Sequence, residues 1–256
     1  MVGSRVVAVE AAPVRLRERI RPADWERSIK GATLTALERR GKYMIAKGER
    51  AAAVFHLGMS GRMVVRRPAE PREPHTHLVL SFDHGLEVRF IDPRRFGVAV
   101  VVSLSRLEGY PALARLGPDP VDGDVEGALQ TARVSRSPIR SVLLDQRVLA
   151  GVGNIYANEA LARAGISPLR RANAISARRI SDLARALRDV LNEALEAGGT
   201  TLRDGGFVDA EGDGGYFAVK LAVYDREGEP CPRCGAAIVR RIRTGRSAYF
   251  CPRCQR

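Results

Sequence analysis

Short apolar-rich runs, broken by polar residues, fill the first hundred positions of the chain. Residues 5–9, 33–37, 43–46, 51–56, 62–66, 77–82, 86–91 and 98–102 are short β-like runs, separated by Gly, Pro and Asp. The pattern predicts short β-strands folded into a sandwich or barrel. Asp83-His-Gly85 reads as the turn between two of them. From 111 to 127 these runs stop. Leu116-Gly-Pro-Asp-Pro120 cannot lie inside a helix, so this stretch reads as a linker. Beyond it the apolar period is 3.6, predicting helices at 137–145, 151–161 and 176–197. Ser176 is placed to cap the third, and Gly198-Gly199 to stop it. Short β-like runs return at 238–243 and 247–250, a hairpin with Arg246 near its tip.

This order predicts an α+β multi-domain chain. A β-sandwich spans 1–110, a linker 111–127, a helical domain 128–227 and a small C-terminal hairpin module 228–256. Lys and Arg number 42 against 29 Asp and Glu, giving a formal charge of +13, and a surface this basic attracts a polyanion. Aromatic residues are 5% of the chain, which argues against base-stacking platforms as the main binding device. No run of about 18 uncharged apolar residues is present, and the first residues lack the shape of a signal peptide. A cytoplasmic location without a membrane partner is the expectation.

All four cysteines sit in two matched turns, Cys231-Pro-Arg-Cys234 and Cys251-Pro-Arg-Cys254, sixteen residues apart. In a cytosolic chain such pairs point to one tetrahedral zinc ion with no open position, hence a structural one. A redox pair or free thiols are the alternatives. Residues 231–256 also carry seven arginines and no Asp or Glu. A cationic hairpin tip fits a nucleic-acid groove, with a solvated basic face as the alternative.

Several longer strings carry a resemblance. Arg39-Arg-Gly-Lys-Tyr43, His56-Leu-Gly-Met-Ser-Gly61, Asp92-Pro-Arg-Arg-Phe-Gly97, Gly151-Val-Gly-Asn-Ile-Tyr-Ala-Asn-Glu159 and Gly228-Glu-Pro-Cys-Pro-Arg-Cys234 all resemble the formamidopyrimidine-DNA glycosylase family. The likeness extends over nearly the whole chain. It implies a helix-two-turn-helix domain in the middle and a zinc-finger hairpin at the end. It also implies a base-excision-repair glycosylase and abasic-site lyase for oxidised purines such as 8-oxoguanine and formamidopyrimidines. Such an enzyme flips the damaged nucleotide out of the duplex, because the glycosidic carbon is unreachable in the stack. An amine expels the base, and β,δ-elimination then nicks the strand. The implied partner is double-stranded DNA bearing an oxidised purine or abasic site, bound by a monomer in a bacterial cytoplasm at the nucleoid.

The resemblance assigns Lys42 to the lesion phosphate and to proton transfer. Arg246 is assigned to clamping phosphates and assisting δ-elimination. Lys42 is one of only four lysines, and a compact point charge suits that task. A solvated strand-edge lysine is its alternative. Met59, Arg94 and Phe96 match the residues that fill the hole left by the flipped base; taken alone, Met59 and Phe96 would more often be core. Asn154, after a glycine turn at a helix start, is implied to hold a phosphate, with a plain helix cap as the alternative. His75, Arg136 and Arg140 are expected DNA contacts. The glycine-rich residues 207–218 match the loop that closes over the flipped base. The family nucleophile, the α-amino group of an N-terminal proline in a Pro-Glu-Leu-Pro-Glu string, has no counterpart in Met1-Val-Gly-Ser-Arg5. Pro13 lacks a free amine, and Glu10 falls in a predicted strand. Two expectations follow: a start upstream of Met1 that restores the enzyme, or a chain impaired in base excision. A non-catalytic protein that binds damaged DNA or abasic sites is the rival reading.

Overall fold

The computed structural model describes residues 1–201, 215–243 and 245–256. The chain divides into two compact units, Met1–Ala114 with the described part of Thr200–Gly215, and Arg115–Gly199 with Tyr216–Arg256.

The first unit is a β-sandwich. Its strands are β1 (Val6–Ala11), β2 (Ala36–Arg40), β3 (Tyr43–Lys47), β4 (Ala51–His56), β5 (Arg62–Arg66), β6 (Thr76–Phe82), β7 (Glu87–Ile91) and β8 (Val98–Ser103). They form two antiparallel four-stranded sheets, ordered β1-β6-β7-β5 and β2-β3-β4-β8. Val6, Leu78, Leu80, Phe82 and Phe90 of one sheet share a core with Ala46, Ala53, Phe55 and Ala99 of the other. The turn between β6 and β7 closes at Gly85, whose φ of +81° only glycine adopts without strain.

Two features depart from the sequence reading. Residues 33–35 are not in a strand, and β2 starts at Ala36 and runs on to Arg40. A helix absent from that reading, α1 (Pro22–Ser28), has proline in its first turn and seats Trp25 in the core, 5.7 Å from the Phe55 ring. One buried side chain in seven residues gives too little periodicity to announce it. The stretch read as linker also contains structure. The short helix α3 (Pro111–Ala114) lies within it, and α2 (Leu104–Leu107) lies just before it. The start of α4 (Val125–Ala132), capped by Asp124, lies there too.

The second unit packs α4, α5 (Ile139–Leu144), α6 (Asn154–Arg163) and α7 (Ala177–Glu196). Along α7, Ile180, Leu183, Ala184, Leu187, Val190 and Ala194 recur at helical spacing and are all buried. The Ser176 hydroxyl accepts from the Arg179 N–H, and Gly198 and Gly199 end the helix at φ of +69° and +96°. A hairpin of β9 (Val239–Arg243) and β10 (Arg246–Phe250) completes the unit. Its base shares a small core with Ala162 and Val223. Among the described residues, no helix is long and apolar enough to cross a membrane.

Candidate nucleic-acid interface and metal centre

In the sandwich, the turn between β2 and β3 carries exposed Lys42 after Gly41, whose φ is +58°. Lys42 lines a cleft of about 600 Å³ whose other walls include Leu37, Met44, Phe55, His56 and Leu57. His56 stacks edge-on against Tyr43, with ring centroids 4.9 Å apart. Burial, with the nearby charges of Arg17 and Lys42, brings its pKa down to about 4. The ring is therefore neutral at physiological pH, and its Nδ1 accepts the Gly58 N–H at 2.8 Å. Arg17 was not singled out from the sequence. It lies in a run of alternating arginines that reads only as a basic face.

The loop after β4 holds Met59 at 70% exposure, and the loop after β7 holds Phe96 at 44%. Both are large apolar side chains in water. Arg94 places its guanidinium 4.8 Å from the centre of the Phe96 ring. His75 is exposed, in a left-handed conformation with φ of +66°. Glu10 is in β1 and donates no chemistry to this region. It pairs with Arg72, whose hydrogen bond holds the Glu10 carboxyl below its usual range.

In the second unit, Asn154 is the first residue of α6, while Gly153 occupies the cap position without a side chain to bond. Asn154 is thus not a cap. Its Oδ1 accepts from Arg140 Nε at 3.1 Å and Nη2 at 2.7 Å, and its Nδ2 donates to the Ser247 carbonyl at 3.0 Å. Arg140 also reaches the Ser247 carbonyl at 2.9 Å. Arg140 is 3% exposed, and its Nε and Nη2 bond Asn154 and the hairpin. Burial, and then the charge of Arg246, lowers its pKa. Arg246 and Arg136 are exposed. Residues 207–214 of the expected base-closing loop lie outside the described residues.

One buried carboxylate escaped the sequence reading. Glu159 accepts the backbone N–H groups of Ala222, Val223 and Tyr224 at 2.8, 3.0 and 2.8 Å, which ties α6 to the segment entering the hairpin. A single Glu in a helical pattern carries no signal of such partners.

The four cysteine sulfurs lie within 4.8 Å of one another. Cys231 and Cys254 are 4.0 Å apart, and Cys234 and Cys251 are 3.5 Å apart. Zinc–sulfur bonds of about 2.3 Å at tetrahedral angles require sulfurs about 3.8 Å apart. The donor set therefore fits one structural Zn²⁺, held by Cys231, Cys234, Cys251 and Cys254. A closed tetrahedron of thiolates leaves no position for substrate, so the ion holds the hairpin and takes no part in chemistry.

A zinc-pinned basic hairpin, a helical unit and a β-sandwich with exposed Met, Arg and Phe loops define a zinc-finger protein for a polyanionic partner. Family models agree segment by segment. Residues 1–99 match the formamidopyrimidine-DNA glycosylase N-terminal domain, 116–205 its H2TH domain, and 228–256 the zinc finger found in FPG and IleRS. The chain belongs to the formamidopyrimidine-DNA glycosylase family. The formamidopyrimidine-DNA glycosylase of Methylococcus capsulatus is 44% identical over 259 residues, covering 100% of this chain and 94% of that protein. That of Rhizorhabdus wittichii is 45% identical, covering 99% and 93%. Among solved structures, the Lactococcus lactis Fpg in complex with abasic-site DNA superimposes with a TM-score of 0.91 at 31% identity. The match covers 100% of this chain and 94% of that one. MutM in complex with DNA containing carbocyclic 8-oxo-G gives 0.90 at 30% identity, covering 100% and 94%.

Proposed function

We propose that this protein is a base-excision-repair DNA glycosylase and abasic-site lyase acting on duplex DNA with an oxidised purine or abasic site. The observation that carries the reading is the exposure of Met59 and Phe96 beside Arg94. Water-exposed apolar tips with a stacked cation suit a void in a base stack and would be a liability elsewhere. In this reading the three side chains occupy the hole left by the extruded nucleotide. Lys42 faces the lesion phosphate and moves a proton during elimination. Arg246 and Asn154 bind flanking phosphates, with His75 and Arg136 as further contacts. Arg140, which also braces Asn154, is a further phosphate contact.

An amine attacking C1′ forms a C–N bond as the glycosidic bond breaks and the base leaves with its electron pair. The C1′–O4′ bond then opens, O4′ takes up a proton, and the resulting imine acidifies the neighbouring sugar proton, which opens the path to β- and then δ-elimination. The protein works as a monomer in the bacterial cytoplasm, at the nucleoid. The sandwich at 1–110, the linker at 111–127, the helix-two-turn-helix domain at 128–227 and the zinc finger at 228–256 divide these tasks.

The test pairs an 8-oxoguanine duplex and an abasic duplex with an intact one. The polypeptide of this sequence is one arm, and the same polypeptide preceded by a Pro-Glu-Leu-Pro-Glu segment is the other. The expected result is preference for damaged duplex in both arms, with strand scission at the lesion in the arm carrying the terminal proline. Equal affinity for damaged and intact duplex overturns the reading.

A further inference from the structure

Asp92 is fully buried, yet it belongs to none of the expected contacts. Its carboxyl is shared by two loops. Oδ1 accepts from the Ser60 hydroxyl at 3.1 Å, next to Met59, and Oδ2 accepts from the Gly97 N–H at 2.7 Å, next to Phe96. Its backbone completes the knot. The Asp92 carbonyl meets His77 Nε2 at 2.9 Å and accepts the Arg95 N–H at 3.3 Å. Its own N–H donates to the His75 carbonyl at 3.1 Å. One residue thus touches the bases of the loops that present Met59, His75, Arg94 and Phe96.

The packing around it leaves no slack. A Cβ on Gly58 would sit 2.6 Å from the Phe96 carbonyl carbon, and one on Gly97 would sit 2.8 Å from the His56 carbonyl oxygen. The backbones of the two loops therefore touch directly, and both positions require glycine. His75 and Arg95, on either side of Asp92, hold left-handed φ values of +66° and +59°. Residues with a Cβ stay there only when surrounding bonds over-determine them.

We propose that Asp92, through Ser60 and Gly97, is a positioning residue that locks the Met59 loop and the Arg94–Phe96 loop into one rigid wedge. The wedge is then ordered before DNA arrives. Insertion into a stack costs no loop ordering, and the gain appears as preference for a duplex that already has a hole. This inference rests on the reading given under Proposed function. Binding to intact duplex is carried mainly by phosphate contacts and draws little on the wedge.

Asp92→Asn replaces one acceptor oxygen by a donor, and Ser60→Ala removes only the link between the loops. Each is measured against a duplex containing a tetrahydrofuran abasic analogue and against intact duplex. A 2-aminopurine opposite the lesion reports insertion, and circular dichroism reports folding. Ser60→Ala lies at a partly exposed loop position, so it remains informative where Asp92→Asn does not fold. The expected result is an approximately tenfold fall in the damaged-to-intact affinity ratio. It comes with a reduced 2-aminopurine response and a near-constant intact-duplex affinity. Folded variants that keep the wild-type ratio and fluorescence response overturn the proposal. Wild-type protein without preference for the abasic duplex overturns instead the reading on which the proposal rests.

Discussion

Arg140 gives two of its N–H donors to one acceptor, Oδ1 of Asn154, at 3.1 and 2.7 Å. The guanidinium fork fixes the orientation of the amide, and both residues share the Ser247 carbonyl of the hairpin. This cation therefore braces the Asn154 amide against the hairpin strand that begins at Arg246. Arg140→Lys keeps the charge but loses the fork. We expect lesion-duplex affinity to fall about tenfold, close to the effect of Asn154→Ala, and the double variant to be no worse than either single one. Fluorescence anisotropy titrations of the three variants check this, and additive losses would separate the two residues.

Glu159 accepts three backbone donors from Ala222, Val223 and Tyr224. Glu159→Gln turns one of its oxygens into a donor facing a buried N–H. Leaving such a group unpaired costs about 1–3 kcal/mol. Thermal denaturation of zinc-loaded protein is expected to show a melting temperature lower by several degrees. An unchanged melting temperature would mean that these bonds contribute nothing to stability.

The cysteine cluster makes the hairpin dependent on metal. The thiols ionise unequally: against the cost of burial, the backbone N–H groups of Arg233 and Cys234 bring Cys231 down to about 7. Hydrogen bonding with Cys234 leads the effects that push the Cys254 thiol up to about 12, and a bound Zn²⁺ relieves that conflict. Chelation is expected to release one zinc per chain, unfold residues 228–256 and abolish binding to damaged duplex. Readdition of zinc restores both. Released zinc is read with a metallochromic dye and duplex binding by gel shift. Retained affinity in the metal-free protein would remove the hairpin from the interface.

His56 gives the sandwich a pH dependence. Its folded pKa, about 4, is below the ordinary imidazole value of about 6.5, chiefly because burial penalises the charged ring. Above about pH 6.5 both folded and unfolded chains carry a neutral ring, and its contribution to stability is complete. As pH falls from there through about 4, the unfolded chain takes up the proton first and stability is lost. His56→Asn keeps an acceptor for the Gly58 N–H without the titration. Urea denaturation at about pH 7 and about pH 5 is expected to show a smaller loss for this variant than for wild type.

Much of the fold is legible without coordinates. Short apolar runs bounded by turn residues place β3, β4, β5 and β8 within a residue of their observed ends, because local chemistry marks where such strands stop. The Ser176 cap, the Gly198-Gly199 stop and the spacing of the cysteines are local chemistry, set by residues a few positions apart. Helix α1 is not legible, since only Trp25 of its seven residues is buried.

The roles of the charged residues are another matter. Arg89 reads as one more cation in a basic chain. The fold buries it completely and surrounds it with Glu87, Glu73 and the carbonyls of Arg67, Glu70 and Pro71. Arg140 likewise braces Asn154 and the hairpin, and Asp92 bonds the bases of two loops. Periodicity and spacing determine which segments form strands, helices and a metal site, because those depend on neighbours in the chain. What a guanidinium or carboxyl does depends on the groups brought within about 3 Å of it. Those groups come from remote segments, so only the tertiary structure decides which charges meet DNA and which hold the protein in shape.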